Sequence, residues 1–221
     1  MEIKSAYMDY LKYSWKASSQ AVKLRNKNEV FKDVVSRYTQ PHRHYHNLMH
    51  ILKSQVECYL SREIVSDINT MSFAIWMHDV IYDKNGNNES RSIEYVNQLK
   101  MPQENKSKIS KLIQVTDHKT TPETSDEKII ADIDLSVFGY HQKFFEKYEN
   151  DIRLEYINYS DKEFREGRIH VLNYFLNREI EGKKRIYYTD RYYNKYEKTA
   201  RENLERSVRK LGGNVANYLV K

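Results

Sequence analysis

Four of the eight histidines in the chain fall between positions 42 and 50, in the run HRHYHNLMH. His46 and His50 are four residues apart, so on a helix spanning 45–61 their imidazoles share one face and aim at one point. Leu48, Ile51, Leu52, Val56, Tyr59 and Leu60 make nearly the opposite face. An isolated pair of this kind reads as a solvated polar face, but this density of histidine makes chance a poorer account. A second segment, SFAIWMHDVIY at 72–82, is apolar on every side when wound as a helix, which predicts a buried one. It nevertheless carries His78 and Asp79. An unpaired carboxylate in such surroundings costs roughly several kcal/mol, so Asp79 must be protonated, paired with a cation or bound to a metal. A third segment, IIADIDLSVFG, embeds Asp132 and Asp134 among Ile129, Ile130, Ile133, Leu135 and Val137, and buried acids need cations. Histidine and aspartate drawn from three segments make a mixed imidazole and carboxylate shell. Such a shell suits a divalent transition metal and leaves positions open for water or substrate.

The elements that must position these groups read as helices. Few segments alternate with period two, whereas Phe144, Tyr148, Ile152 and Tyr156 recur every four residues, and Phe164, Val171, Leu172, Phe175, Leu176 and Ile180 draw a similar stripe. The periodicity predicts eight or more helices, near 3–24, 28–38, 45–61, 66–82, 88–100, 103–117, 141–158 and 161–180, with a last one near 193–211 that stops at Gly212-Gly213. Pro41, Pro102 and Pro122 fall in or beside the gaps. No repeat and no Gly/Pro/Ser-rich linker divides the chain, and 221 residues suit one core. The expectation is therefore an all-α, single-domain bundle over 1–221, with a metal-site core at about 42–140 and a helical extension at about 141–221.

Composition removes several classes of protein. The single cysteine, Cys58, cannot form an intrachain disulfide, which favours a reducing compartment. The longest compact apolar stretch, Phe73 to Met77, is far shorter than a bilayer span, and the first thirty residues lack the apolar core of a signal peptide. A cytoplasmic protein with no membrane contact is expected. The net charge of +6 is uneven: residues 1–60 hold 10 basic and 5 acidic groups, 61–182 hold 16 and 22, and 183–221 hold 11 and 4. Basic ends admit nucleic acid as a partner, but an acidic centre between basic ends also fits a metal site ringed by groups that attract phosphate. The chain contains no CxxC, HExxH, GxxxxGK[ST], GxGxxG or GxSxG run, so standard zinc sites, nucleotide-driven motors, Rossmann chemistry and serine hydrolysis lose their usual support.

Taken in order, His50, the adjacent His78-Asp79 and the distant Asp134 resemble the signature of the HD superfamily of metal-dependent phosphohydrolases. The run YHNLMHI is similar to the YHNxxH run of cyclic-nucleotide phosphodiesterases, and DLS to the element of those enzymes that holds the last ligand. Along nearly the whole chain, RHYHNLMHI, WMHDVIYD, NNES, DIDLSVFG, IRLEY, FREGR, VLNYFLNR, IYYT and ARENL resemble a bacterial group of predicted metal-dependent HD-superfamily phosphohydrolases. Ile133 departs from that group, whose run usually begins DADLS; the larger side chain alters packing and leaves both acids in place.

The resemblance implies metal ligation by His50, His78, Asp79 and Asp134, with His46 protonating the leaving oxygen. It implies one or two divalent ions, a transition metal such as Mn, Fe, Ni, Co or Zn with Mg as a further choice. A bound ion of this kind acidifies water and neutralises phosphoryl oxygens. The substrate expected is a small phosphorylated metabolite, a nucleotide by preference, with cyclic nucleotides or short oligonucleotides as the alternative and a nucleic-acid or ligand-binding module as the alternative of another class. Asp83 and Glu89 are candidates for orienting the attacking water, or are simply loop and helix N-terminal charges. Arg43 is the first choice for a phosphate clamp and Arg185 a second, alongside Arg165, Arg168 and Arg201, all of which read equally as salt-bridge partners. His118 lies where some two-metal members carry an extra histidine, but VTDHKT reads better as a solvated helix end. Nothing in the sequence fixes the oligomeric state.

Overall fold

The helical periodicities become ten α-helices among the described residues, 5–83 and 86–215, of the computed structural model. They are α1 (Ser5–Ala21), α2 (Lys27–Tyr38), α3 (Leu48–Leu60), α4 (Ile68–Met77), α5 (Asn88–Gln98), α6 (Gln103–Gln114), α7 (Ser125–Asp134), α8 (Gln142–Glu155), α9 (Asp161–Asn177) and α10 (Asp190–Lys210). Turns of 3₁₀ helix follow α6 and α7, at Val115–Asp117 and Leu135–Gly139. A two-residue antiparallel ribbon, β1 (Glu179–Ile180) with β2 (Lys183–Lys184), pairs Glu179 with Lys184 and Ile180 with Lys183. The fold is all-α, as expected. The chain forms two compact units, 1–134 and 135–221.

In the first unit α4 is the buried centre, in contact with α1, α3, α5, α6 and α7. Every side chain from Thr70 to Met77 is buried, which is what a segment apolar on all sides requires. Trp15 of α1 meets Trp76 of α4 edge-on, with ring centroids 5.5 Å apart at 86°. A polar chain runs through this interior: Trp76 Nε1 donates to Ser14 Oγ (3.0 Å), Ser14 and Ser72 share a hydroxyl hydrogen bond (3.3 Å), and Ser72 Oγ donates to Gln55 Oε1 (2.8 Å). Gln55 Nε2 returns the link to the Ser72 carbonyl at 2.8 Å. These bonds fix α1, α3 and α4 in register, because each buried polar group has its partner only in that arrangement.

In the second unit α10 packs on α9 and on the 3₁₀ turn at 135–139. Asn203 Nδ2 donates to the carbonyls of Phe138 (2.8 Å) and Tyr140 (2.9 Å), and the Tyr187 hydroxyl donates to that of Leu135 (3.1 Å). A methyl at Gly139 would overlap the Tyr196 side chain, so only glycine lets α10 approach so closely. The capping box predicted by neither stripe starts α9: Ser160 Oγ accepts from Glu163 N while the Glu163 carboxylate accepts from Ser160 N.

Several expectations are corrected. Residues 3 and 4, where the periodicity starts the first helix, lie outside the described residues, and α1 ends at Ala21 rather than 24. Helix α3 begins at Leu48 rather than 45, because the Asn47 side chain caps it by accepting from Met49 N; His46 therefore precedes the helix. Helix α4 stops at Met77 rather than 82, so His78 and Asp79 occupy the turn beyond it. The segment carrying Asp134 is itself a helix, α7, absent from the expected set. In α8 the inward stripe is Phe145, Tyr148 and Ile152, while Phe144 and, just past the helix end, Tyr156 are exposed. In α9 Val171 is likewise exposed and Arg168 is buried.

Candidate metal centre

Helix α3 keeps its apolar pattern only in its first half, where Leu48, Ile51 and Leu52 are buried. Val56, Tyr59 and Leu60 are exposed, while His50, Ser54, Gln55 and Glu57 are buried. The turn after α4 delivers His78 and Asp79 to the same place, and the last residue of α7 delivers Asp134. His50 Nε2 and His78 Nε2 lie 3.0 Å apart. Asp79 Oδ2 is 3.1 Å from His78 Nε2 and 3.5 Å from His50 Nε2; Asp134 Oδ1 is 3.5 and 3.4 Å from the same two atoms. His50, His78 and Asp134 each offer one donor atom, all within 4.8 Å of one another, a group that could hold a metal ion.

The electrostatics fit a cation at this point. His78 Nδ1 is 2.8 Å from the Ile75 carbonyl, which can only accept. A neutral His78 therefore carries its proton on Nδ1 and turns the Nε2 lone pair toward the cluster. Burial opposes charge on Asp79, yet the facing His78 and His46 and hydrogen bonds from His50 and His78 hold its carboxyl well below the usual range. Burial likewise opposes charge on Asp134, which hydrogen bonds from His118, His50 and His78 hold well below that range. Burial works to discharge His78, but the Asp79 charge and bonds to both carboxylates hold its imidazole well above the ordinary value. Two carboxylates held toward ionisation face two imidazoles, and a divalent ion held by His50, His78 and Asp134, with Asp79 beside the two imidazole nitrogens, would balance that charge more fully than a proton does.

Around this centre the other predicted residues divide. His46 is half-buried, its ring stacked on Tyr82 (centroids 4.1 Å, 25°), edge-on to Tyr45 (4.8 Å) and 5.8 Å from the His50 ring. Helical spacing is not what places it beside His50; the loop before Asn47 is. Glu89, in the first turn of α5, is pushed up by burial and further by the charges of Asp79 and Asp134, so its carboxyl feels the ligand set. Asp83 is taken up locally: its carboxylate pairs with Arg91 at 2.5 Å, and its backbone exchanges two hydrogen bonds with the Asn88 side chain. Arg43 is 5% exposed and its guanidinium donates to backbone carbonyls, among them that of Asp79 at 2.6 Å. A phosphate clamp would have to give up such bonds. Arg185 belongs to the second unit, where it pairs with Asp190 (2.8 Å) and lies over the Tyr193 ring (4.3 Å).

The residue that sequence reasoning set aside is His118. It follows the 3₁₀ turn in left-handed backbone (φ 55°) and brings Nε2 to 2.9 Å from Asp134 Oδ2. The signal available was its type and place in the order of motifs; its fit to Asp134 depends on α7, which the periodicity did not reveal. Among the described residues, no helix is long and apolar enough to cross a membrane. No family model matches the chain, and neither does any curated protein or solved structure.

Proposed function

We propose that the protein is a metal-dependent phosphohydrolase of the HD superfamily that cleaves a phosphate ester of a small metabolite, with a nucleotide as the preferred substrate class. The observation that carries this reading is the meeting of His50, His78 and Asp134 within one ligand-sized group, with Asp79 Oδ2 beside the same two imidazole nitrogens. The donor set favours a divalent transition metal over magnesium alone, because two imidazoles suit the softer ions. One or two ions would occupy it, with His118 beside Asp134 as the residue able to serve a second.

Bound there, the ion would polarise the phosphoryl oxygens and acidify a water for attack. The chain supplies the rest. Asp79 and Asp134 stay ionised and hold the ion, and the His78 ring is oriented by Ile75. His46, stacked on Tyr82 outside the donor set, is the residue we assign as the proton donor to the departing oxygen. Glu89, whose carboxyl is raised by burial and by the charges of Asp79 and Asp134, is the candidate for orienting the attacking water.

The test is metal-reconstituted full-length protein assayed against nucleoside mono-, di- and triphosphates, cyclic nucleotides and dinucleotides. Turnover that is lost on chelation and in Asp134→Ala is the expected outcome. Preference for a diester over every monoester would move the reading to a phosphodiesterase. A panel with no phosphate and no nucleoside product released would overturn it.

A further inference from the structure

A helix leaves its last carbonyls without intrahelical donors, and buried ones must find others. At the end of α4 three side chains supply them. His78 Nδ1 takes the Ile75 carbonyl (2.8 Å) and the Tyr38 hydroxyl takes that of Trp76 (3.0 Å). Arg43 reaches the turn beyond, where Nη1 donates to the Asp79 carbonyl (2.6 Å) and Nη2 to that of Val80 (3.1 Å). The same Nη1 donates to the His46 carbonyl at 3.2 Å, one residue before the Asn47 cap of the helix that carries His50. Nε donates to Gln40 Oε1 at 3.3 Å, and the guanidinium carbon lies 5.0 and 5.5 Å from the ring centroids of Tyr38 and Tyr82.

We infer that Arg43 is a positioning residue of the metal centre: one buried guanidinium ties the segment leading into His50 to the turn carrying His78 and Asp79, and so sets the spacing of the ligand atoms. The inference rests on reading the cluster as a metal centre. It differs from a phosphate clamp, whose loss would weaken substrate binding and leave metal affinity alone. Arginine is needed for geometric reasons. A planar fork presents several N–H groups in fixed directions, whereas a lysine ammonium keeps the charge and cannot span three carbonyls on two segments.

The experiment titrates Mn²⁺ into metal-free wild type, Arg43→Lys and Arg43→Ala, with helical content checked by circular dichroism and the ligand field by the absorption of Co²⁺-loaded samples. Partners that orient metal ligands are typically worth about 10- to 100-fold in metal affinity, and a weakening of that size is expected in both variants with helicity retained. In Arg43→Ala, guanidinium ion at a low, non-denaturing concentration restores most of the lost affinity and ammonium does not, while wild type responds to neither. Wild-type affinity in Arg43→Lys, or a folded Arg43→Ala that guanidinium leaves unimproved, overturns the inference. Should Arg43→Ala not fold, the lysine variant decides alone, through Mn²⁺ affinity and a shifted Co²⁺ spectrum. Wild type that binds neither ion refutes the metal-centre reading itself, a result visible before any variant is compared.

Discussion

At His78 one hydrogen bond decides what the ring can offer. With Nδ1–H committed to Ile75, a metal ion and a proton would compete for Nε2. In metal-free protein the folded value of this histidine is raised, so its stabilising contribution is full below the ordinary 6.5 and is lost as pH rises through the higher folded value. Asp79 and Asp134 are depressed, so theirs is full above the ordinary 3.8 and is lost as pH falls through the lower folded values. The cluster thus favours metal-free protein most between those limits, and denaturant midpoints should decline as pH is raised from the weakly acidic range into the alkaline. Because the ion needs an unprotonated Nε2, binding at neutral pH should release about one proton. Titration calorimetry in buffers of different ionisation enthalpy reads this directly; an apparent enthalpy independent of buffer would contradict it. His46 sits outside this competition, stacked on Tyr82. His46→Asn should keep metal and fold while losing roughly 10²- to 10⁴-fold in turnover on esters with a poor alkoxide leaving group. Nitrophenyl esters, which need little protonation, should be hurt much less, and equal loss on both would leave His46 a merely orienting residue.

Among the elements, the register of α1, α3 and α4 depends on the buried chain through Trp76, Ser14, Ser72 and Gln55. Gln55→Ala removes the acceptor of the Ser72 hydroxyl and the side-chain donor to the Ser72 carbonyl, and should cost about 1–3 kcal/mol in denaturant unfolding. The double variant with Ser72→Ala should lose less than the sum of the two single losses, since both substitutions remove the one bond from Ser72 Oγ to Gln55 Oε1; strict additivity would show the chain to be uncoupled. The same helices mark where the sequence was legible. Segment 72–82 predicted a buried helix on apolar residues alone, and Thr70–Met77 is buried throughout. His50, His78, Asp79 and Asp134 stood out as polar residues in apolar or histidine-dense surroundings, and they meet. The ends were less legible. Nothing in the sequence stops α4 at Met77, because no glycine or proline follows; side chains distant in sequence, Tyr38 and Arg43, satisfy the carbonyls that a longer helix would have used. Helix α3 misled more deeply. Its apolar stripe holds inward at Leu48, Ile51 and Leu52, but the interior also offers Ser72, His78 and Asp79, so His50 and Gln55 go in as well and Val56, Tyr59 and Leu60 go out. Helix α7 was hidden because its isoleucines surround the two aspartates without a polar face to give the period away.

For the molecule as a whole, the candidate ligands His50, His78, Asp79 and Asp134 all belong to the unit spanning 1–134. An ion that binds only the folded state stabilises by mass action, about 2.7 kcal/mol at a hundredfold excess over the dissociation constant. Adding Mn²⁺ should therefore raise the unfolding midpoint of the first unit, and Asp134→Ala should abolish the shift; an identical shift in that variant would place the ion elsewhere. The net charge of +6, concentrated toward the ends, is a separate property. It permits weak, salt-sensitive attraction to polyanions that chelation leaves unchanged, whereas the proposed turnover should vanish on chelation. The edge-on pair of Trp15 and Trp76 bears on how such changes can be followed. These are the only two tryptophans in the chain, and both lie in the unit that holds the candidate centre. Emission excited at the red edge, where tyrosine does not absorb, is consequently a label the protein already carries for that unit alone, while tyrosine emission averages over both. Comparing the two signals during unfolding would separate the events of one half of the chain from those of the other without attaching a dye.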